Sequence, residues 1–228
     1  MMRRLPLIKS KIHGNKLSLL GVPISLGQSI YGTEKGPKVL RDKGLLKQLN
    51  RMGHDIIDHG DVDIYNPQPG DPIALSIYGD VIKNAYSIGE TTRRLFTQTS
   101  DIFSSGRIPI IMGGDHSISI GSVAAALCAN KNTSVVWIDA HTDIHTPETS
   151  LSMNMHGMPL SLLTGFRQSD TIAGFEWMNC STNSIPKLRP SKLIYIGIRD
   201  IEHAEMIILN QLGITIYTMQ DIKKYGIK

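Results

Sequence analysis

The sequence is poor in several things at once, and each shortage excludes a class of protein. It holds two cysteines, Cys128 and Cys180, in 228 residues. That is too few for a disulfide scaffold and fits a reduced compartment. Aromatic residues amount to 4 Phe, 7 Tyr and 2 Trp. Nowhere do they interleave with a basic stripe, which argues against nucleic acid as a partner. No apolar run approaches the ~18 residues of a membrane-spanning helix. No block of five or six like charges, internal repeat or low-complexity stretch occurs, so the net charge of +4 is scattered.

What remains is ordinary globular composition, 41% hydrophobic before its 21 glycines are counted. The length suits one generous domain, and one is the simplest reading. The first sixteen residues carry Arg3, Arg4, Lys9, Lys11 and Lys16 and no acid. This reads as a solvated arm on a cytoplasmic protein, with a mitochondrial address as the alternative.

Short apolar runs alternate with helical spacing. Residues 17–22, 55–57, 108–112, 133–138, 192–198 and 214–217 read as strands. Residues 38–52, 73–104, 117–129 and 202–212 read as helices, with a Pro/Gly/Asp loop over 66–71. The runs over 108–112 and 133–138 read as buried strands, and apolar strands separated by helices imply βαβ units and a mostly parallel sheet.

In such sheets, sites form beyond the carboxyl ends of the strands. Two strand exits are rich in chemistry. After 108–112 comes Gly113-Gly114-Asp115-His116-Ser117. The glycines permit a tight exit, and His116 sits at the mouth of the sheet. The competing explanation makes Asp115 or Ser117 a helix N-cap and His116 incidental. After 133–138 comes Asp139-Ala140-His141-Thr142-Asp143. On an extended backbone, side chains alternate, so Asp139, His141 and Asp143 would share a face. Carboxylates so close repel unless a cation or proton lies between them. A set of carboxylates and imidazoles suits Mn²⁺ better than the thiolate sets of structural zinc. Neither cysteine lies in this set. Further on, His156 in the loop Ser152-Met153-Asn154-Met155-His156-Gly157-Met158-Pro159 could move a proton near neutral pH.

Together these segments resemble the signature segments of the arginase-type ureohydrolases. Gly21-Val22-Pro23, Gly27-Gln28, Gly32-Thr33-Glu34-Lys35-Gly36-Pro37 and Tyr195-Ile196-Gly197-Ile198-Arg199-Asp200 agree with it in the right order. Leu160-Ser161 after the His156 motif is more like arginase than agmatinase. The resemblance implies a three-layer α/β/α fold with a mostly parallel sheet, and two manganese ions per site activating a bridging hydroxide. That hydroxide would attack the guanidinium carbon of L-arginine to give L-ornithine and urea. Carried over by motif position, His116, Asp139, His141 and Asp143 would be metal ligands, with Asp139 bridging. His156 would relay protons. His145, Ser152, Glu202 and Glu205 would bind substrate, and the family pattern implies a homotrimer.

The chain also departs from that pattern. The family's later Asp-x-Asp ligand segment has no match here. After Asp143 the aspartates are Asp170, Asp200 and Asp221, none in such a pair. The pair Asp61-Val62-Asp63 lies far upstream and reads as surface polarity. The expectation is therefore a single domain over 1–228 lacking its C-terminal part, which would expose apolar surface and unpaired strand edges. His145 stands where the family usually has Asn, Glu202 where it has Asp, and Met153 where it has Gly. If position 153 needs positive φ, Met is strained there. These departures leave two alternatives open: a related ureohydrolase acting on another guanidino compound, and an inactive homologue serving as a partner subunit.

Overall fold

The computed structural model describes residues 15–66, 82–179 and 184–226. The basic arm over 1–14, most of the 66–71 loop and Cys180 lie outside them. In chain order the elements are β1 (Lys16–Val22), α1 (Gly36–Asp42), α2 (Leu45–Arg51), β2 (Asp55–Asp61), α3 (Ala85–Ser104) and β3 (Ile108–Gly113). There follow α4 (Ser119–Ala129), β4 (Val135–Ile138), α5 (Pro159–Thr164), β5 (Leu193–Ile198), α6 (His203–Leu212), β6 (Thr215–Thr218) and α7 (Met219–Tyr225).

All described strand pairs are parallel. They form two three-stranded sheets, ordered β2-β1-β3 and β4-β5-β6. Helices against these sheets give a three-layer α/β/α architecture, as expected. β1 lies in the middle of its sheet and carries the first core: Leu19, Leu20 and Val22 are fully buried. Helices α3 and α4 pack closely because Gly121 has no side chain. A Cβ there would come within 2.4 Å of the Thr92 carbonyl oxygen.

Several features differ from the sequence reading. The helix expected over 38–52 breaks between α1 and α2, where Gly44 adopts φ 83°, a left-handed conformation that interrupts the hydrogen-bond ladder. Of the long helix or helix pair expected over 73–104, α3 supplies Ala85–Ser104, and residues 73–81 lie outside the described residues. Strand β4 is not buried on both faces. Trp137 is buried, whereas Val136 is 54% and Ile138 76% exposed. β3 and β4 each have one edge without a strand partner among the described residues.

Candidate metal centre

The exit of β3 is held by Asp115. Its carboxylate accepts hydrogen bonds from Gly27 N at 2.8 Å, Ser117 N at 3.0 Å and Ser117 Oγ at 2.5 Å. Its backbone N–H donates to the Ile24 carbonyl at 2.9 Å. Asp115 is thus the N-cap of a short 3₁₀ turn, His116–Ile118. The cap does not make His116 incidental. It fixes the backbone that projects the imidazole toward the exit of β4.

That second exit leaves the extended form at once. Asp139 N donates to the Ile196 carbonyl at 3.1 Å, and the Ala140 carbonyl accepts from Arg199 N at 2.9 Å and Asp200 N at 3.1 Å. Asp143 has φ 47°, so the chain turns left-handed there. The period-two alternation expected over 139–143 is therefore absent. Asp139 and Asp143 converge on His116, whereas His141 stands apart.

The convergence is close. His116 Nδ1 lies 2.7 Å from Asp143 Oδ2 and 3.2 Å from Asp139 Oδ2. One ligand atom from each of the three residues lies within 4.8 Å of the others, the one such group among the described residues. Burial pulls the His116 imidazole toward its neutral form. The carboxylates of Asp143, Asp139 and Asp115 outweigh that and leave its pKa above the ordinary histidine value. Asp143 Oδ2 is buried and, despite its closeness to His116, makes no aligned hydrogen bond among the described residues. A buried carboxylate oxygen without such a bond is costly unless something else occupies its lone pair.

The wider neighbourhood is anchored by β5 and α6. Tyr195, fully buried, donates its hydroxyl to the Thr142 carbonyl at 2.7 Å. Thr142 in turn donates its hydroxyl to Glu205 Oε1. Glu205 is 4% exposed, and its Oε2 accepts from Glu202 N at 3.0 Å, the reciprocal half of a capping box at the start of α6.

The description "Arginase family" fits residues 15–228. The chain belongs to the arginase family. It is 35% identical over 213 residues to Arginase-1 of Oryctolagus cuniculus, which covers 92% of this chain and 62% of the relative. It is 37% identical over 216 residues to "Arginase-2, mitochondrial" of Rattus norvegicus, covering 94% of this chain and 58% of the relative. The solved arginase structure from Bacillus caldovelox superposes with a TM-score of 0.80 at 33% identity, covering 93% of this chain and 67% of that one. The chain therefore spans about three fifths of the length of these curated relatives.

For an arginase-family chain, the donors here fit a hard or borderline divalent cation. Two carboxylates and an imidazole converge, and one buried oxygen lacks an aligned hydrogen bond among the described residues. The other expected residues fall at varying distances from this trio. His141 is 3.6 Å from Asp139 Oδ1 through Nδ1 and 3.7 Å from Asp200 through Nε2, with a largely exposed ring. His145 Nδ1 meets Thr149 Oγ1 at 3.1 Å, and Nε2 faces Glu202 at 3.6 Å and Glu205 at 3.7 Å. Ser152 is exposed, and its hydroxyl accepts from Asn154 N at 3.3 Å. His156 is half-buried, with its backbone N–H on the Gly27 carbonyl at 3.0 Å. Asp61 and Asp63 pair with Arg41 and Arg94 and are not part of the converging trio. Among residues the sequence reading did not single out, Tyr195 and Thr142 tie the ligand loop to α6, and Trp137 stacks on His116. Their signals were position alone: Tyr195 in a matching motif, Thr142 between two expected ligands and Trp137 two residues before Asp139.

Proposed function

We propose that this chain serves the manganese-dependent hydrolysis of the guanidinium group of L-arginine to L-ornithine and urea. The observation that carries the reading is the meeting of His116, Asp139 and Asp143 around a buried Asp143 oxygen with no aligned hydrogen bond among the described residues. It supports the same chemistry that family membership implies. His116, Asp139 and Asp143 would hold the cation, with His141 at the margin. Bound manganese would supply a nucleophilic water at neutral pH, which the poorly electrophilic guanidinium carbon needs.

The chain's own groups would do the rest. Glu202 would offer its carboxylate to an ammonium end of the substrate, with buried Glu205 lying behind it at that end of the pocket, and Ser152 would offer a hydroxyl to the substrate carboxylate. His156 would carry a proton to the leaving amine. We place the protein in the cytoplasm, with the mitochondrion as the alternative, and without nucleic-acid or membrane partners; a homotrimer is what family membership implies, not an expectation for this chain by itself. No described helix is long and apolar enough to cross a membrane.

The His145 contact to both glutamates favours a second reading of the substrate. An imidazole against Glu202 and Glu205 fills more of that end than an asparagine would, which suits a different guanidino compound.

The test is urea release by the purified protein with Mn²⁺, from L-arginine and from agmatine. Urea from arginine alone supports the first reading, and urea from another guanidino compound supports the second. No turnover with either leaves a binding role. Asp143→Ala should abolish release, and metal analysis should find at most one tightly held Mn²⁺ per chain. Two tight ions would show that further ligands exist.

A further inference from the structure

The trio is assembled from two sheets. His116 follows β3 of the first sheet, while Asp139 and Asp143 follow β4 of the second. Among the described residues no strand ladder joins β3 to β4. The backbone therefore does not set the imidazole's orientation toward the carboxylates. Asp115 fixes the His116 main chain, but a capped main chain leaves two side-chain torsions free.

Trp137 supplies the missing constraint. It precedes Ile138 at the end of β4, is 5% exposed, and lays its indole on the His116 ring. The ring centroids are 4.4 Å apart and the planes 24° from parallel. A face-on contact of this kind restricts tilt of the imidazole while leaving the in-plane nitrogens free to bond. The edge left free points Nδ1 at Asp143 and Asp139. The indole N–H, meanwhile, is buried with no hydrogen-bond partner among the described residues. A smaller apolar residue would fill β4 without that cost. What the indole contributes here is its flat face.

We propose that Trp137 is a positioning residue. Its indole holds the His116 ring in the plane that aims Nδ1 at the two carboxylates, and so sets cation affinity across the junction of the two sheets. This rests on the metal-centre reading above.

The test uses the full chain with Trp137→Phe, Trp137→Leu and His116→Gln. Trp137→Met takes the place of the leucine variant if that chain does not fold. Metal-free protein is titrated with MnCl₂, and free Mn²⁺ is followed by its paramagnetic resonance signal. The His116 ring resonance is read by NMR before any metal is added, assigned by its disappearance in His116→Gln. Phe keeps a stacking face, so its affinity should stay within about twofold of wild type. Leu should weaken binding about three- to tenfold, the worth of one aromatic pair. The His116 ring resonance should lie upfield in wild type and Phe and return downfield in Leu.

Equal Mn²⁺ affinity in wild type and Trp137→Leu overturns the proposal, as does a loss in Phe as large as in Leu. If wild type and His116→Gln take up Mn²⁺ alike, the metal reading fails instead. The ring resonance then still reports whether the indole holds the imidazole. An unshifted wild-type resonance overturns that too.

Discussion

Replacing Asp143 with Asn should change stability in opposite directions in acid and in alkali. In metal-free protein the ligand oxygens of Asp139 and Asp143 are no more than 4.8 Å apart. At an effective dielectric constant near 20, two unit charges at that separation repel by about 3.5 kcal/mol. The side chain of His116 is 38% exposed and that of Asp139 23%. Solvent screening then leaves roughly 1–2 kcal/mol. Protonated His116 more than offsets this repulsion, being 2.7 Å from one carboxylate and 3.2 Å from the other. Its pKa is raised because the carboxylates outweigh burial. A raised folded pKa means that the imidazole's contribution is complete below the unfolded value, about 6.5. It is lost as pH climbs through the folded value. Near pH 5.5, Asp143→Asn removes the closest partner of a cation and should lower stability. In alkali, above the raised folded value, the imidazole is neutral, the substitution removes only repulsion and carboxylate burial, and stability should rise. Each change should be roughly 1–2 kcal/mol, or about 2–8 °C in Tm for a chain of this size. Thermal denaturation in chelator at the two pH values measures both. MnCl₂ near pH 8 should raise the Tm of wild type and not of the variant. A shift of the same sign at both pH values would refute the charge argument.

Two further outcomes follow from buried groups. Tyr195→Phe deletes the hydroxyl that the buried Thr142 carbonyl accepts at 2.7 Å, and should cost about 1–2 kcal/mol. Tyr217→Phe, at a 52% exposed ring, should not move the melting curve, and equal curves for all three proteins would show that the Tyr195 bond is not holding the loop. Burial pushes the Cys128 thiol up to about 11, so it is almost wholly protonated at neutral pH. In a Cys180→Ser background its reaction with Ellman's reagent should be slow at pH 8 and quicken steeply above pH 10. A rate at pH 8 matching free cysteine would mean that the thiol is not shielded.

The parts of the fold that could be read from the sequence are those that local pattern decides. Apolar runs marked the strands, and each of the two informative runs ended in a polar segment that the structure brings to the site. Met153 is a sharper case. The family pattern puts glycine at this position, and the structure gives it φ 55°, the left-handed region that a Met side chain disfavours. Two readings failed for the same reason. Strand β4 was expected to be buried throughout, and Asp139, His141 and Asp143 were expected to share a face. Both expectations extend a local backbone form beyond the point where distant partners take over. Ala140 is claimed by Arg199 and Asp200, nearly sixty residues later in the chain, and the alternation stops there.

The residue types at the site were legible, but their convergence was not. Parallel strands deliver their carboxyl ends to the same edge of a sheet, so two polar exits must lie on the same side of the molecule. That rule brings His116 near Asp139 and Asp143 in kind, not in distance. Distance here depends on how the β2-β1-β3 and β4-β5-β6 sheets sit against each other, and the described strands do not bridge them. Trp137 reads from the sequence as one more core residue of an apolar strand. Its indole contacts a histidine twenty-one residues earlier, on the other sheet's exit, through packing that no periodicity encodes. A constellation built across such a junction depends on side-chain contact rather than on backbone register. Its accuracy should therefore be more sensitive to the shape of residue 137 than to any substitution inside either sheet's own ladder.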